Sequence, residues 1–255
     1  MKPFADHFSR IAAEYASHRP RYPAALFAWL ASVAPERTRA WDCGAGNGQA
    51  AAALAEHFEA IVATDPSTEQ LGQAPRDPRI DYVAATAERA PIATGAIAVA
   101  TVAQALHWFD REDFYAEVRR VLAPDGVLAV WSYALCTVGD AALDAALRQF
   151  HDVSVGPYWP AERAIVNAGY AKLDFPFAEL EPPRFAMEVR WTLAQLAAYV
   201  GTWSAVQRAK ASTGRDPLLP GLVEVLGTGW GADGSTRLVQ WPLSVRAGRV
   251  RAIDR

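Results

Sequence analysis

Apolar residues recur at helical spacing in residues 8–18 (FSRIAAEYASH) and 23–33, and the turn-forming RPRYP at 19–23 separates the two runs. From residue 39 the pattern alternates between short apolar runs and amphipathic stretches. RAWDC at 39–43 reads as a strand entering the glycine-rich GAGNG at 44–48, and QAAAALAEHF at 49–58 as a helix. AIVAT at 60–64 is a second strand, 67–73 a short helix, IDYVAA at 80–85 a third strand and 96–103 a fourth. Residues 110–122 (DREDFYAEVRRVL) predict a helix with Asp110 as its N-cap. Ala123-Pro124-Asp125-Gly126 is a turn, and VLAVWSY at 127–133 is a fifth strand. Strands that alternate with helices predict a doubly wound, parallel α/β sheet.

After Tyr133 the rhythm changes. Residues 140–151 read as helix, 155–183 as loop with short extended pieces, and FAMEVRW at 185–191 as a strand. A long amphipathic helix is expected over 193–211, another helix over 217–227, and an antiparallel strand over 236–247. The expectation is a mostly parallel, seven-stranded Rossmann-like sheet with helices on both faces and a C-terminal helical, aromatic insertion. The parts would be an N-terminal helical cap (1–36), a ligand-binding core (37–133) and a segment completing the sheet and covering the substrate (134–255).

Composition narrows the function. Hydrophobic residues make up 51% and charged residues 21%, enough for a packed core. The 25 basic against 28 acidic residues give a net charge of −3, which argues against a broad nucleic-acid surface. Cys43 and Cys136 provide neither a disulfide framework nor zinc spacing, so no metal is expected. The N-terminal residues hold no apolar run of the signal-peptide kind, and no stretch approaches the roughly 18–20 apolar residues of a membrane span. A soluble, cytoplasmic protein is the expectation. Nine tryptophans is a high number, and four of them (Trp159, Trp191, Trp203 and Trp230) fall between 134 and 235, which suggests an aromatic substrate cover or plain core packing.

The chemistry centres on WDCGAGNG at 41–48. Glycines after a strand permit a sharp turn and close ligand approach, and the following helix offers free N–H groups. The spacing is D-x-G-x-G-x-G, not G-x-G-x-x-G, because position 49 is glutamine; no Gly-Lys-Ser/Thr follows either. A pyrophosphate has no use for a carboxylate at Asp42, whereas a ligand ammonium does. Asp65 ends the next strand, where an acid accepts ribose hydroxyls, although before Pro66 it could equally cap a turn. A ribose-bearing ligand with an amino-acid end and no pyrophosphate has the outline of S-adenosylmethionine.

At these residues the sequence resembles class I S-adenosylmethionine-dependent methyltransferases of the type-11 kind. The blocks WDCGAGNGQA, VATDPS, TAERAPI, AQALHWFD and RVLAPDGVLAVWSY carry the resemblance over most of residues 37–133. Y-x-x-x-R-P-x-Y-P at 15–23, AQALHWFD and WTLAQLAAYVGTWSAVQ at 191–207 resemble the trans-aconitate methyltransferase group. The resemblance implies that Gly44, Ala45, Gly46 and Gly48 line the methionine part, with Asp42 near its amino group. It implies Asp65 on the ribose, Pro66 and Ser67 beside the adenine, and Gln104 and Ala105 under the sulfonium and methyl. Tyr15 and Arg19 would fold over the cofactor. Relatives often carry Gly-Asp where Ala85 and Thr86 stand here, which shifts the adenine contact to Ala87 or Glu88; Glu88 reads equally as a solvated loop acid.

His107 and Trp108 would floor the reaction site. His107 is the candidate general base for a phenol, thiol or amine, or else a structural histidine; a carboxylate needs no base. Tyr133, Trp159, Arg190 and Trp203 join Trp108 as candidate contacts for a small-molecule methyl acceptor. The resemblance suggests a small organic acid methylated on oxygen. The alternatives are nitrogen or carbon methylation, a nicotinamide dehydrogenase, or a cofactor-binding module without catalysis. Nucleic-acid methylation is disfavoured by charge and by Gln104-Ala105-Leu106-His107 standing where an N-P-P-Y/F-type motif would be.

Overall fold

A computed structural model describes residues 20–218, 222–232 and 234–250. The chain divides into two compact units. The sheet unit holds Tyr22–Tyr133, Ile165–Phe185 and the chain from Leu243 on; the described residues of the helical unit are chiefly Ala134–Ala164 and Ala186–Pro242.

In the sheet unit, α1 (Ala24–Val33) precedes β1 (Arg39–Cys43), α2 (Gln49–Leu54), β2 (Ala60–Asp65), α3 (Thr68–Leu71), β3 (Ile80–Ala84) and β4 (Ile97–Ala103). Then come α4 (Arg111–Val121) and β5 (Leu122–Tyr133). The strand order is β3-β2-β1-β4-β5, all parallel, continued by β8 (Arg237–Arg249) antiparallel to β5 and by β6 (Ala178–Leu180) antiparallel to β8. The late antiparallel strand is as expected. The sheet has eight strands, one more than the seven expected; the added one is β6, in the stretch read from sequence as loop with short extended pieces, where three residues between Pro176 and Pro182 carry too little periodicity to show as a strand. The expected strand at 185–191 forms as β7 (Phe185–Trp191), which pairs with β8 off this path.

Residue alternation along the strands builds two cores. Ala40, Val99, Val127, Ala129 and Trp131 face α1 and α2, packing on Leu26, Phe27, Leu30, Leu54 and Phe58. Their neighbours Trp41, Ala100, Leu128 and Val130 face the other way, onto Phe114, Val118 and Val121 of α4. A strand buried on both faces reads as a continuous apolar run, as 97–103 does. Each fully buried leucine or phenylalanine contributes about 1.5–3 kcal/mol. In α4, Glu112 and Asp113 occupy the first turn and Arg119 and Arg120 the last, matching the helix dipole, and Asp110 forms the N-cap. β5 starts earlier than expected: the turn at 123–126 is a bulge within the strand, with Asp125 at φ +60° and the register to β4 shifting between Ile97 and Val99.

The helical unit contains α5 (Ala141–Gln149) and a π-turn at Phe150–Ser154. α6 (Arg163–Asn167) straddles the boundary between the two units. α7 (Leu193–Gly201), α8 (Ser204–Thr213) and α9 (Val223–Trp230) complete the helical unit. The helix expected over 193–211 is two helices. Trp203 is extended (ψ 134°), which buries its indole beside Phe150, His151, Trp159 and Tyr199. The Thr202 hydroxyl and the Gln207 amide donate to the helix-end carbonyls of Tyr199 and Gly201. Amphipathic spacing continues through the break, so periodicity does not reveal it. No described helix is long and apolar enough to cross a membrane.

Candidate active site

The glycine loop leaves β1 and enters α2, and all three of its glycines are left-handed: Gly44 at φ +69°, Gly46 at +55° and Gly48 at +78°. A Cβ on Gly44 would lie 2.7 Å from Ala105 Cβ, and one on Gly48 would lie 2.7 Å from the Tyr82 hydroxyl. The loop is tied to β2. Gly44 and Ala45 donate to the Thr64 carbonyl (2.8 and 3.0 Å), and Gly46 N–H donates to Asp65 Oδ2 (2.9 Å). The other Asp65 oxygen accepts from Ser67 N–H at 2.8 Å. Asp65 is therefore a clamp between the glycine loop and the start of α3, which Ser67 caps in turn. Burial raises its pKa, opposed by the two amides.

Asp42 is fully buried. Its Oδ1 accepts from Thr101 Oγ1 at 2.9 Å; its Oδ2 has no well-formed hydrogen bond among the described residues, and the Ala51 backbone amide, with Thr101, opposes the effect of burial on the carboxyl. Burial pushes its pKa up to about 7. Across β1, at the end of β4, Gln104 takes φ +56°, a strained backbone for a non-glycine residue worth about 1–3 kcal/mol. Its N–H donates to the Trp131 carbonyl and its Nε2 to the Tyr133 carbonyl (both 2.9 Å), while its buried Oε1 has no partner among the described residues.

A 3-10 turn at Leu106–Trp108 follows. His107 lies against Trp108 (ring centroids 4.7 Å apart), and its Nδ1 is 3.0 Å from the Tyr170 hydroxyl. Trp108 is 45% exposed, the largest exposed aromatic among the described residues. Tyr133 is buried and meets Tyr22 edge-on. Ala87 is buried, and half-buried Glu88 accepts on Oε1 from Asp110 N–H (3.0 Å) at the entry to α4. Glu117 fixes this loop from below: it accepts from Ala90 N–H (2.7 Å) and pairs with Arg120, which donates to the Ile92 and Ala90 carbonyls.

Residues 41–130 match the family described as "Methyltransferase domain". A protein of Anaeromyxobacter dehalogenans assigned as a type II methyltransferase is 44% identical. Its solved structure superposes with a TM-score of 0.87, covering 92% of this chain and 99% of that one. The chain belongs to the class I S-adenosylmethionine-dependent methyltransferases. A Dictyostelium discoideum protein assigned as a methyltransferase is 29% identical over 240 residues, 92% of this methyltransferase and 91% of its own length. An uncharacterised methyltransferase of Mycobacterium tuberculosis is 35% identical over 127 residues, 49% of this chain and 51% of that one.

The methyltransferase's cofactor is S-adenosylmethionine, and the residues at the strand ends fit it. The three left-handed glycines let the loop turn sharply in close contact with Ala105, Gln70 and Tyr82, a backbone that a side chain at these positions would displace. The unpartnered Asp42 Oδ2 is a buried acceptor suited to an ammonium, and each Asp65 oxygen keeps a lone pair beyond its amide bond.

In the sheet unit, Asp42, Gly44, Ala45, Gly46, Gly48, Asp65, Pro66, Ser67, Gln104 and Ala105 come from adjoining strand ends. In the helical unit, Trp159 and Trp203 pack on each other and on His151, and Arg190 is exposed on β7. Tyr15 and Arg19 lie outside the described residues. Sequence reasoning missed Thr101, Glu117 and Tyr170. Thr101, the lone polar residue in an apolar strand beside Asp42, was the one detectable signal.

Proposed function

We propose that the enzyme methylates an oxygen of a small organic acid, with the cofactor held by the glycine loop, Asp42, Asp65 and the Gln104–Ala105 strand end. When bound, S-adenosylmethionine supplies an electrophilic methyl group. The observation that carries the site is the pairing of a left-handed glycine cradle with the buried, unpartnered Asp42 oxygen. Asp42 would take the ammonium, Asp65 the ribose hydroxyls, and Ala87 and Glu88 would border the adenine with Pro66 and Ser67. His107, Trp108 and Tyr133 would meet the acceptor. Trp159, Arg190 and Trp203 would be further acceptor contacts, and the motifs at 103–110 and 191–207 suggest the trans-aconitate methyltransferase group. A carboxylate is ionised at neutral pH, so these residues need only orient it and exclude water.

Calorimetry with S-adenosylhomocysteine tests the cofactor site. Asp65→Ala, checked for folding by circular dichroism, is expected to weaken binding about tenfold or more, since a charged hydrogen bond is worth about 1.5–3 kcal/mol. Unchanged affinity overturns the assignment. Transfer of labelled methyl across matched carboxylic acids, phenols and amines tests the acceptor: base-labile methyl esters are expected, and transfer to amines alone would refute an oxygen acceptor.

A further inference from the structure

Tyr170 comes to His107 from 63 positions along the chain, and its geometry is costly. It is 1% exposed and takes a left-handed backbone at φ +60°, which bulky aromatic residues rarely adopt. Gly169 before it is also left-handed (φ +62°), and a Cβ there would lie 2.5 Å from Ser244 Oγ. The segment is held from outside by Arg246. Its Nη1 donates to the Tyr170 and Leu173 carbonyls (3.1 and 2.7 Å), its Nη2 pairs with Glu179 (2.7 Å), and its guanidinium lies over Phe175. The result of this arrangement is a buried hydroxyl 3.0 Å from Nδ1 of His107.

A phenol is a good O–H donor and a poor acceptor, while the unprotonated nitrogen of a neutral imidazole is a good acceptor. We propose that Tyr170 is a positioning residue whose O–H donates to Nδ1 of His107, so that the ring proton sits on Nε2. This inference rests on the reading that the methyl acceptor meets His107. His107 then presents a hydrogen-bond donor, not a base, along its Nε2 edge. That suits an oxygen that is already anionic and is a mismatch for a phenol or amine that must lose a proton. The pair therefore narrows the acceptor to a carboxylate-like group and recasts His107 as its orienting donor.

Long-range proton–nitrogen correlation spectra of the ¹⁵N-labelled full chain, free of ligand and above pH 7, test the proposal. His107 is assigned by comparison with His107→Gln. The expected spectrum shows Nε2–H, with the Nδ1 resonance displaced by an accepted hydrogen bond. In Tyr170→Phe, that displacement is lost, and KM for a carboxylate acceptor rises about tenfold while kcat moves far less. An Nδ1–H ring in the wild type, or an Nδ1 resonance that Tyr170→Phe leaves in place, overturns the proposal. The wild-type spectrum decides alone if the variant does not fold. An Nε2–H ring in an enzyme that methylates only phenols overturns the carboxylate reading and leaves the tautomer assignment standing.

Discussion

Replacing Gly44 by alanine imposes two penalties at once. The backbone stands at φ +69°, and the new methyl would meet Ala105 Cβ at 2.7 Å, on the strand end proposed to lie beneath the reacting methyl. Gly44→Ala is expected to cost about 2–4 kcal/mol in urea unfolding and to abolish measurable S-adenosylhomocysteine binding. This residue was legible in the sequence because only a missing side chain satisfies a left-handed turn in close contact, and the spacing of Asp42 and three glycines records that need. Tyr170 was illegible for the opposite reason. Its backbone is held by Arg246 on a distant strand, and a Gly-Tyr pair alone records none of that.

At the scale of the element, α4 does more than cover the sheet. Glu117 and Arg120, one turn apart, hold the Ala90–Ile92 loop that follows Ala87 and Glu88. The Arg120 side chain holds the Glu117 carboxyl below its usual range. Glu117→Ala leaves the buried Ala90 amide unsatisfied and is expected to cost about 1–3 kcal/mol, read as lost hydrogen-exchange protection at Ala90. The helix itself was legible from its cap, its charges and its apolar stripe. The division between α7 and α8 was not, because the apolar spacing runs on past Gly201 and the extended Trp203, whose indole is buried, is fixed by its tertiary neighbours.

For the whole molecule, the parallel half of the sheet was legible as buried apolar runs separated by amphipathic helices, while the β8–β6 edge depends on pairing across distant segments. One global property follows from Asp42. Its carboxyl titrates near pH 7 in the fold, against about pH 3.9 in the unfolded chain. Between those values the native state binds the extra proton, so the contribution of this carboxyl is full below about pH 4 and is lost as pH rises to 7, on the order of 4 kcal/mol. The raised Asp65 adds in the same direction. Chemical denaturation from pH 4 to 8 should show this slope, Asp42→Asn should flatten it, and saturating S-adenosylhomocysteine should reduce it by favouring the ionised carboxylate. A wild-type slope of opposite sign would refute the assignment.

Trp108 carries one more consequence, in optical terms. Trp41, Trp131, Trp191, Trp203, Trp230 and Trp241 are all buried, whereas Trp108 is 45% exposed beside His107. With Trp29 and Trp159 half-buried, Trp108 is the most exposed indole among the described residues, so an arriving methyl acceptor would announce itself as a drop in acrylamide quenching that Trp108→Phe erases.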